Sequence, residues 1–174
     1  IQRVGLPGET IELFERSFNK IYNLEADEFD IKVLRIKKGT MFRQKADEFG
    51  YEYSREYPNE VITNDYISAA NIVRIKLVAE TLRTFEHGFE NSISKIMFDT
   101  GMNPFDFFDG LTSFVMENDL SCKMGKAENL YRIIYTYAAD LYDKNEDTLK
   151  LQILQEVLHS DMNNNVSQDV IRRL

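Results

Sequence analysis

Two histidines, a single cysteine and a scatter of carboxylates are the side chains here best suited to acid–base, nucleophilic or metal chemistry. His87 and His159 lie far apart in the chain. Each falls where a helix is predicted to end, a place that favours a cation without any chemistry, so both read as structural or solvated. Cys122 stands in Leu120-Ser121-Cys122-Lys123, a predicted loop. Lys123 would favour its thiolate, but a nucleophile also needs an oriented base and neither histidine is locally placed to serve, so Cys122 reads as a free thiol. Asp27, Glu28, Asp30, Asp47, Glu48, Asp65, Glu80, Glu86, Asp106 and Asp109 form no EF-hand ligand pattern. Asp106 and Asp109 are one helical turn apart, a spacing too generic to indicate a metal. Gly5-Leu6-Pro7-Gly8-Glu9-Thr10 is the one local signal of interest. A glycine turn between a strand and a helix N-terminus can present backbone N–H groups to an anion. This turn lacks the Lys-Ser/Thr ending of a phosphate-binding loop.

The elements that must position these residues follow from periodicity. Val4 and Leu6 end a predicted strand. Thr10 caps a helix whose Ile11, Phe14, Phe18, Ile21 and Tyr22 draw one buried stripe, with Glu9 and Glu12 near the positive end of its dipole. Phe29 to Ile36 alternates as a strand, with a bulge near Leu34. Gly39-Thr40 ends it, and a short helix from Met41 to Phe49 stops at Gly50. Residues 51–66 read as a loose hairpin broken by Pro58-Asn59, and the domain boundary is placed there. Five helices are predicted beyond it. The first is capped by Ser68 and ends at Gly88; the second runs from Asn91 to Phe98 and stops at Gly101. The third opens at Asn103-Pro104, the fourth spans Ala127 to Leu141, and the fifth spans Leu149 to Leu158. Asn163-Asn164-Asn165 is predicted to break the fifth, with a terminal turn or two after it. Phe107, Phe108, Leu111 and Phe114 share one helical face, so the Phe105-Asp106-Phe107-Phe108 cluster reads as core rather than as a cofactor-stacking surface. The fold class expected is mainly α (α+β): a β-α-β-α segment over residues 1–50 followed by a helical bundle domain over residues 51–174.

Composition narrows the function classes. The chain has 174 residues, 43% of them apolar and 29% charged, enough for a core that needs no disulfide or metal. Its formal net charge is −8, and its basic residues are flanked by acids, so no nucleic acid partner is expected. One cysteine permits no intrachain disulfide and no Cys-rich zinc site, which fits a reducing, cytoplasmic compartment. No apolar run approaches the ~18 residues that span a bilayer, so no membrane partner is expected either. The chain does not begin with Met, and an excised piece of a longer protein is the expectation.

Two stretches together carry a resemblance. Val4-Gly5-Leu6-Pro7-Gly8-Glu9-Thr10, with Phe14 in the helix that follows, resembles the fifth strand and following helix of radical S-adenosylmethionine barrels. Val33-Leu34-Arg35-Ile36-Lys37-Lys38-Gly39-Thr40 is similar to their sixth strand, closed by Gly-Thr and followed by a short helix with Ala46 and a final Gly50. Ile67-Ser68, Ile72, His87-Gly88-Phe89, Asn103-Pro104-Phe105 and Phe108 resemble a helical domain of unknown function, family 4080, that extends cobalamin-binding members of that superfamily. The resemblance implies that residues 1–50 are the last β/α units of a radical S-adenosylmethionine barrel. It implies a parent protein that cleaves S-adenosylmethionine at a 4Fe-4S cluster, with cobalamin as a further cofactor. Val4, Gly5 and Leu6 would match the strand that borders the S-adenosylmethionine pocket in that parent.

The same resemblance marks what this chain lacks. The cluster motif Cys-x3-Cys-x2-Cys and the cobalamin motif Asp-x-His-x-x-Gly are absent, as are barrel strands one to four. The fragment is therefore expected to be non-catalytic alone and to hold no cofactor. Its expected partners are the upstream barrel and cobalamin domains of the parent, and its helical part would cap the barrel or shape the substrate site. Two strands cut from a barrel leave an unpaired edge, so the isolated fragment is expected to self-associate. The competing readings are an independent helical protein-interaction module and a small-molecule-binding helical module.

Overall fold

A computed structural model describes residues 1–24, 29–142 and 147–171, with side chains through residue 164. Asp27 and Glu28 lie outside the described residues, as do the last three residues of the predicted terminal turn. The chain divides into two compact units, Ile1–Glu80 and Thr81–Leu174.

The first unit opens with strand β1 (Gln2–Val4), helix α1 (Ile11–Tyr22) and strand β2 (Ile31–Val33). Thr10 is in extended conformation at φ −82°, and its Oγ1 accepts from Leu13 N at 3.4 Å, the cap that its residue type predicts. The stripe spacing on α1 buries Phe14 and Phe18 completely. On the strands, Gln2, Val4, Ile31 and Val33 are buried while Arg3 and Lys32 are exposed, as period-two alternation requires. The buried face is the one that meets α1, because Gln2 Nε2 donates to Phe14 O at 3.2 Å. β1 and β2 pair in parallel, Val4 opposite Val33, so residues 1–36 contain the β-α-β unit expected of them.

Alternation slips at Leu34, where a bulge is predicted: Leu34 and Ile36 are both buried, on either side of exposed Arg35. Leu34 N donates to Val4 O at 2.9 Å, while Leu34 O accepts from Val61 N at 2.9 Å and Ile36 N donates to Asn59 O at 2.9 Å. The chain beyond β2 thus turns toward the hairpin formed by β3 (Glu52–Tyr53) and β4 (Val61–Thr63), which pair antiparallel. The hairpin pairs with residues 34–36, just past β2. Among the described residues no strand pairs with the opposite edge of β1.

Between strands β2 and β3, the helix expected over Met41–Phe49 is instead α2 (Met41–Gln44) and a separate 3₁₀ turn, Asp47–Phe49. Neither piece contains a buried residue, and so short a helix without packing has nothing to offset its nucleation cost. Gly50 closes the turn in left-handed conformation at φ 62°. Helix α3 (Ala69–Phe85) follows, with Ser68 Oγ accepting from Asn71 N at 3.3 Å.

The second unit is helical. α4 (Glu90–Thr100) ends at Gly101, and α5 (Pro104–Glu117) starts on an Asn103 cap whose Oδ1 accepts from Asp106 N at 2.9 Å. α6 spans Ala127–Leu141 as predicted, and α7 spans Thr148–Ile171. Phe105, Phe107 and Phe108 are fully buried, with Phe107 ringed edge-on by Phe108 at 5.2 Å and Tyr137 at 5.7 Å. Helix α7 corrects the expected break. It continues through Asn163, Asn164 and Asn165, because asparagine costs a helix only tenths of a kcal/mol per residue (roughly 0.5) and no Pro or Gly stands nearby to stop it. His159 therefore sits inside a helix rather than at its end.

Candidate functional site

The turn after β1 is built around the Gly5 backbone. Gly5 has φ 92°, a conformation that favours glycine, and a Cβ added there would stand 3.4 Å from Val61 Cγ1. Its carbonyl accepts two buried hydrogen bonds, from Tyr51 Oη at 2.7 Å and Asn64 Nδ2 at 3.1 Å. Its N–H donates to Glu9 Oε2 at 3.2 Å. The anion that such a turn can attract is thus supplied by the chain itself, since the Glu9 carboxylate occupies the backbone donors.

The electrostatics follow from this closure. Burial pushes the Glu9 carboxyl above its ordinary value, against the opposing pull of the Leu6 and Gly5 backbone donors. Burial also pushes the Tyr51 hydroxyl up, opposed by the Asn64 hydrogen bond and helped by Glu9 and Tyr66. Asn64 is engaged through both amide atoms: beside the Nδ2 bond to Gly5 O, its Oδ1 accepts from Tyr66 N at 2.8 Å and Ile67 N at 3.0 Å. One residue thus joins the β1 turn to the segment that leads into α3.

The three residues expected to border a cofactor separate by environment. Val4 is fully buried and shares its strand face with Gln2, toward α1. Gly5 is buried in the polar node, and Leu6 is half-buried. The opposite strand face carries Arg3, Lys32 and Arg35. Lys32 pairs with Asp30 at 3.0 Å, and Arg35 with Glu60 at 3.8 Å.

In the second unit, Asp161 is 3% exposed and caps the start of α4 from α7. Its carboxylate accepts from Ser92 N at 2.9 Å, Ser92 Oγ at 2.7 Å and Asn91 Nδ2 at 2.8 Å. Asp99 accepts from Tyr142 Oη at 2.7 Å and pairs with Lys95 at 2.6 Å. Burial, then Asp99, drives the Tyr142 hydroxyl far above the ordinary tyrosine range. A cavity of about 600 Å³ opens beside α5 and α6, floored by Phe114, Leu120 and Ile133 and rimmed by Lys123, Asn129 and Arg132. Glu9, Tyr51, Asn64 and Asp161 were not legible as a set. A signal exists for Asp161 alone, because it continues the buried Leu154 and Leu158 stripe at helical spacing, where an acid needs a partner.

The sequence candidates do not converge on a reactive constellation. His87 is exposed after α3, and His159 is exposed and lies beside Tyr131 with ring centroids 5.2 Å apart. Cys122 is exposed. Asp106 is engaged with Asn103, whose Nδ2 donates to its Oδ2 at 2.6 Å. Among the described residues no group of three or more His, Cys, Asp or Glu side chains is arranged to hold a metal ion. No described helix is long and apolar enough to cross a membrane.

The model of a family described as "Protein of unknown function (DUF4080)" matches residues 47–173. No curated protein and no solved structure matches the chain.

Proposed function

The chain belongs to the DUF4080 family, and from that premise we propose that it is the C-terminal part of a cobalamin-binding radical S-adenosylmethionine protein. In this reading residues 1–50 close the barrel, and the helical domain caps it or shapes the substrate site. The observation that carries the reading is the β-α-β unit. Val4 stands opposite Val33 in parallel register, and among the described residues no strand pairs with the outer edge of β1. A fourth barrel strand would pair on that edge, whereas the chain just past β2, the last strand, meets the hairpin that starts the family domain through Leu34 and Ile36.

The cluster and the corrin do not fit this chain. Cys122 alone cannot hold a cluster that takes three cysteines, and the corrin's histidine motif is missing. Both groups would be held by upstream domains of the parent. What this chain contributes is positioning and exclusion of water. Gly5 and Leu6 stand at the C-terminal end of β1, the end at which parallel α/β barrels place their ligands. Their backbone is locked by Glu9, Tyr51 and Asn64, which presents a fixed rim to S-adenosylmethionine. Val4, directed toward α1, supports that rim from the core.

The test is the gene itself. Reading the coding sequence upstream of Ile1 is expected to show the three-cysteine motif Cys-x3-Cys-x2-Cys. An open reading frame that starts directly before Ile1 would remove the reading.

A further inference from the structure

The cavity beside α5 and α6 combines an apolar floor with a positive rim. Phe114, Leu120 and Ile133 line its base, and Lys123 and Arg132 stand at its edge. Among the described residues no carboxylate lines it, in a chain whose formal net charge is −8. Neither cation makes an ion pair among the described residues. The nearest acid along the helix is Glu128, one turn before Arg132; it lines a smaller neighbouring depression that Arg132 also borders, and it does not line the cavity itself. The rim is held in place: Asn129 Nδ2 donates to Lys123 O at 2.9 Å and Asn118 Nδ2 to Phe114 O at 2.8 Å. A volume of about 600 Å³ is that of a small-molecule pocket.

We infer that this cavity binds a small organic anion: an apolar, preferably aromatic body seated on Phe114 and Ile133, with a carboxylate, sulfonate or phosphate held by Lys123 and Arg132. Guanidinium and ammonium groups recognise such heads through charge-assisted hydrogen bonds. An apolar wall beside the cations strengthens that attraction, because it displaces water from one side of the pair. The site lies wholly in the second unit and stands whether or not the chain belongs to a radical enzyme.

The experiment uses the full chain and two probes of equal body, 1-naphthalenesulfonate and the neutral 1-naphthalenemethanol. Binding is followed by amide shifts in two-dimensional NMR. The sulfonate is expected to move resonances at Phe114, Leu120, Lys123 and Ile133 in a saturable way and to bind at least ~10-fold tighter than the alcohol. Lys123→Glu with Arg132→Glu, both at exposed positions, is expected to erase that tenfold difference while leaving the spectrum elsewhere unchanged. Equal binding of the two probes, shifts that map away from the cavity, or unchanged sulfonate affinity in the double variant would each overturn the assignment.

Discussion

Gly110→Ala should destabilise this protein although it replaces a glycine in the middle of a helix. At an open site in α5 the change would gain about 1 kcal/mol, because glycine loses more backbone entropy on folding than alanine does. Gly110 is not an open site. A Cβ there would fall on the Tyr137 hydroxyl and stand 3.3 Å from Tyr137 Cζ. Tyr137 cannot easily swing away. Its ring is fixed against Phe107 at 5.7 Å and Phe114 at 5.6 Å, its hydroxyl donates to Phe107 O at 3.5 Å, and it is 5% exposed. Inserting a methyl group into such packing costs about 1–3 kcal/mol, and loss of the buried hydroxyl's partner adds about 1 kcal/mol. Set against the propensity gain, the net loss is about 1–3 kcal/mol. Tyr137→Phe removes the atom that the methyl group meets. The double variant Gly110→Ala/Tyr137→Phe is therefore expected to be no less stable than Tyr137→Phe alone, a coupling of about 1–3 kcal/mol in the cycle. Urea unfolding followed by circular dichroism reads all four corners as midpoint shifts. A Gly110→Ala variant that gains stability, or a cycle that closes additively, would refute the packing argument.

Four further outcomes follow from the same geometry. Asp161→Ala strands Ser92 N and Ser92 Oγ in the core, and a loss of about 3 kcal/mol in urea unfolding is expected, against little change for an exposed acid such as Glu117. Asn64→Ala, which frees Tyr66 N, Ile67 N and one bond to Gly5 O, should cost about 2–3 kcal/mol, whereas Tyr51→Phe, which removes a single hydroxyl, should cost about 1 kcal/mol. Glu9 has a folded-state value above its ordinary 4.5, so the folded state holds its proton more tightly and stability falls as pH rises from about 4.5 through the raised value; the stability difference between Glu9→Gln and the parent chain should therefore grow in favour of Gln across that window, as read by thermal midpoints at stepped pH. The isolated chain is expected to self-associate through the open edge of β1, and Arg3→Pro should suppress this in light scattering. Gln2 N reaches Asp30 O at 2.7 Å and Val4 O accepts from Leu34 N, so the intervening Arg3 N–H is directed to the open side of the parallel ladder.

How far the sequence foretold this depends on the range of the interaction. Thr10, Ser68, Asn103-Pro104 and Gly101 mark helix ends through contacts within a turn, and they stand where residue type places them. The parallel pairing of Val4 with Val33 was legible through the resemblance to the last two strands of a barrel, joined by a helix. The antiparallel bonds from Leu34 and Ile36 to Val61 and Asn59 were not, because nothing local encodes which strand a bulged segment will meet. The Gly5 node joins residues up to 59 positions apart, so its polar members look like ordinary surface residues until the fold brings them together. The three asparagines in α7 carry a turn propensity of their own, and the helix on either side of them overrides it.

Amide exchange at Arg3 discriminates the barrel reading from its rivals. If β1 is an interior strand whose neighbour lies upstream, the Arg3 N–H is hydrogen-bonded in the intact gene product and open in this chain alone at dilutions where it is monomeric. Exchange should then be on the order of 1,000-fold slower in the intact product, the factor given by about 4 kcal/mol of opening free energy. Equal, fast exchange in both proteins would mean that no strand occupies that edge, and the chain would have to be read as a free-standing domain.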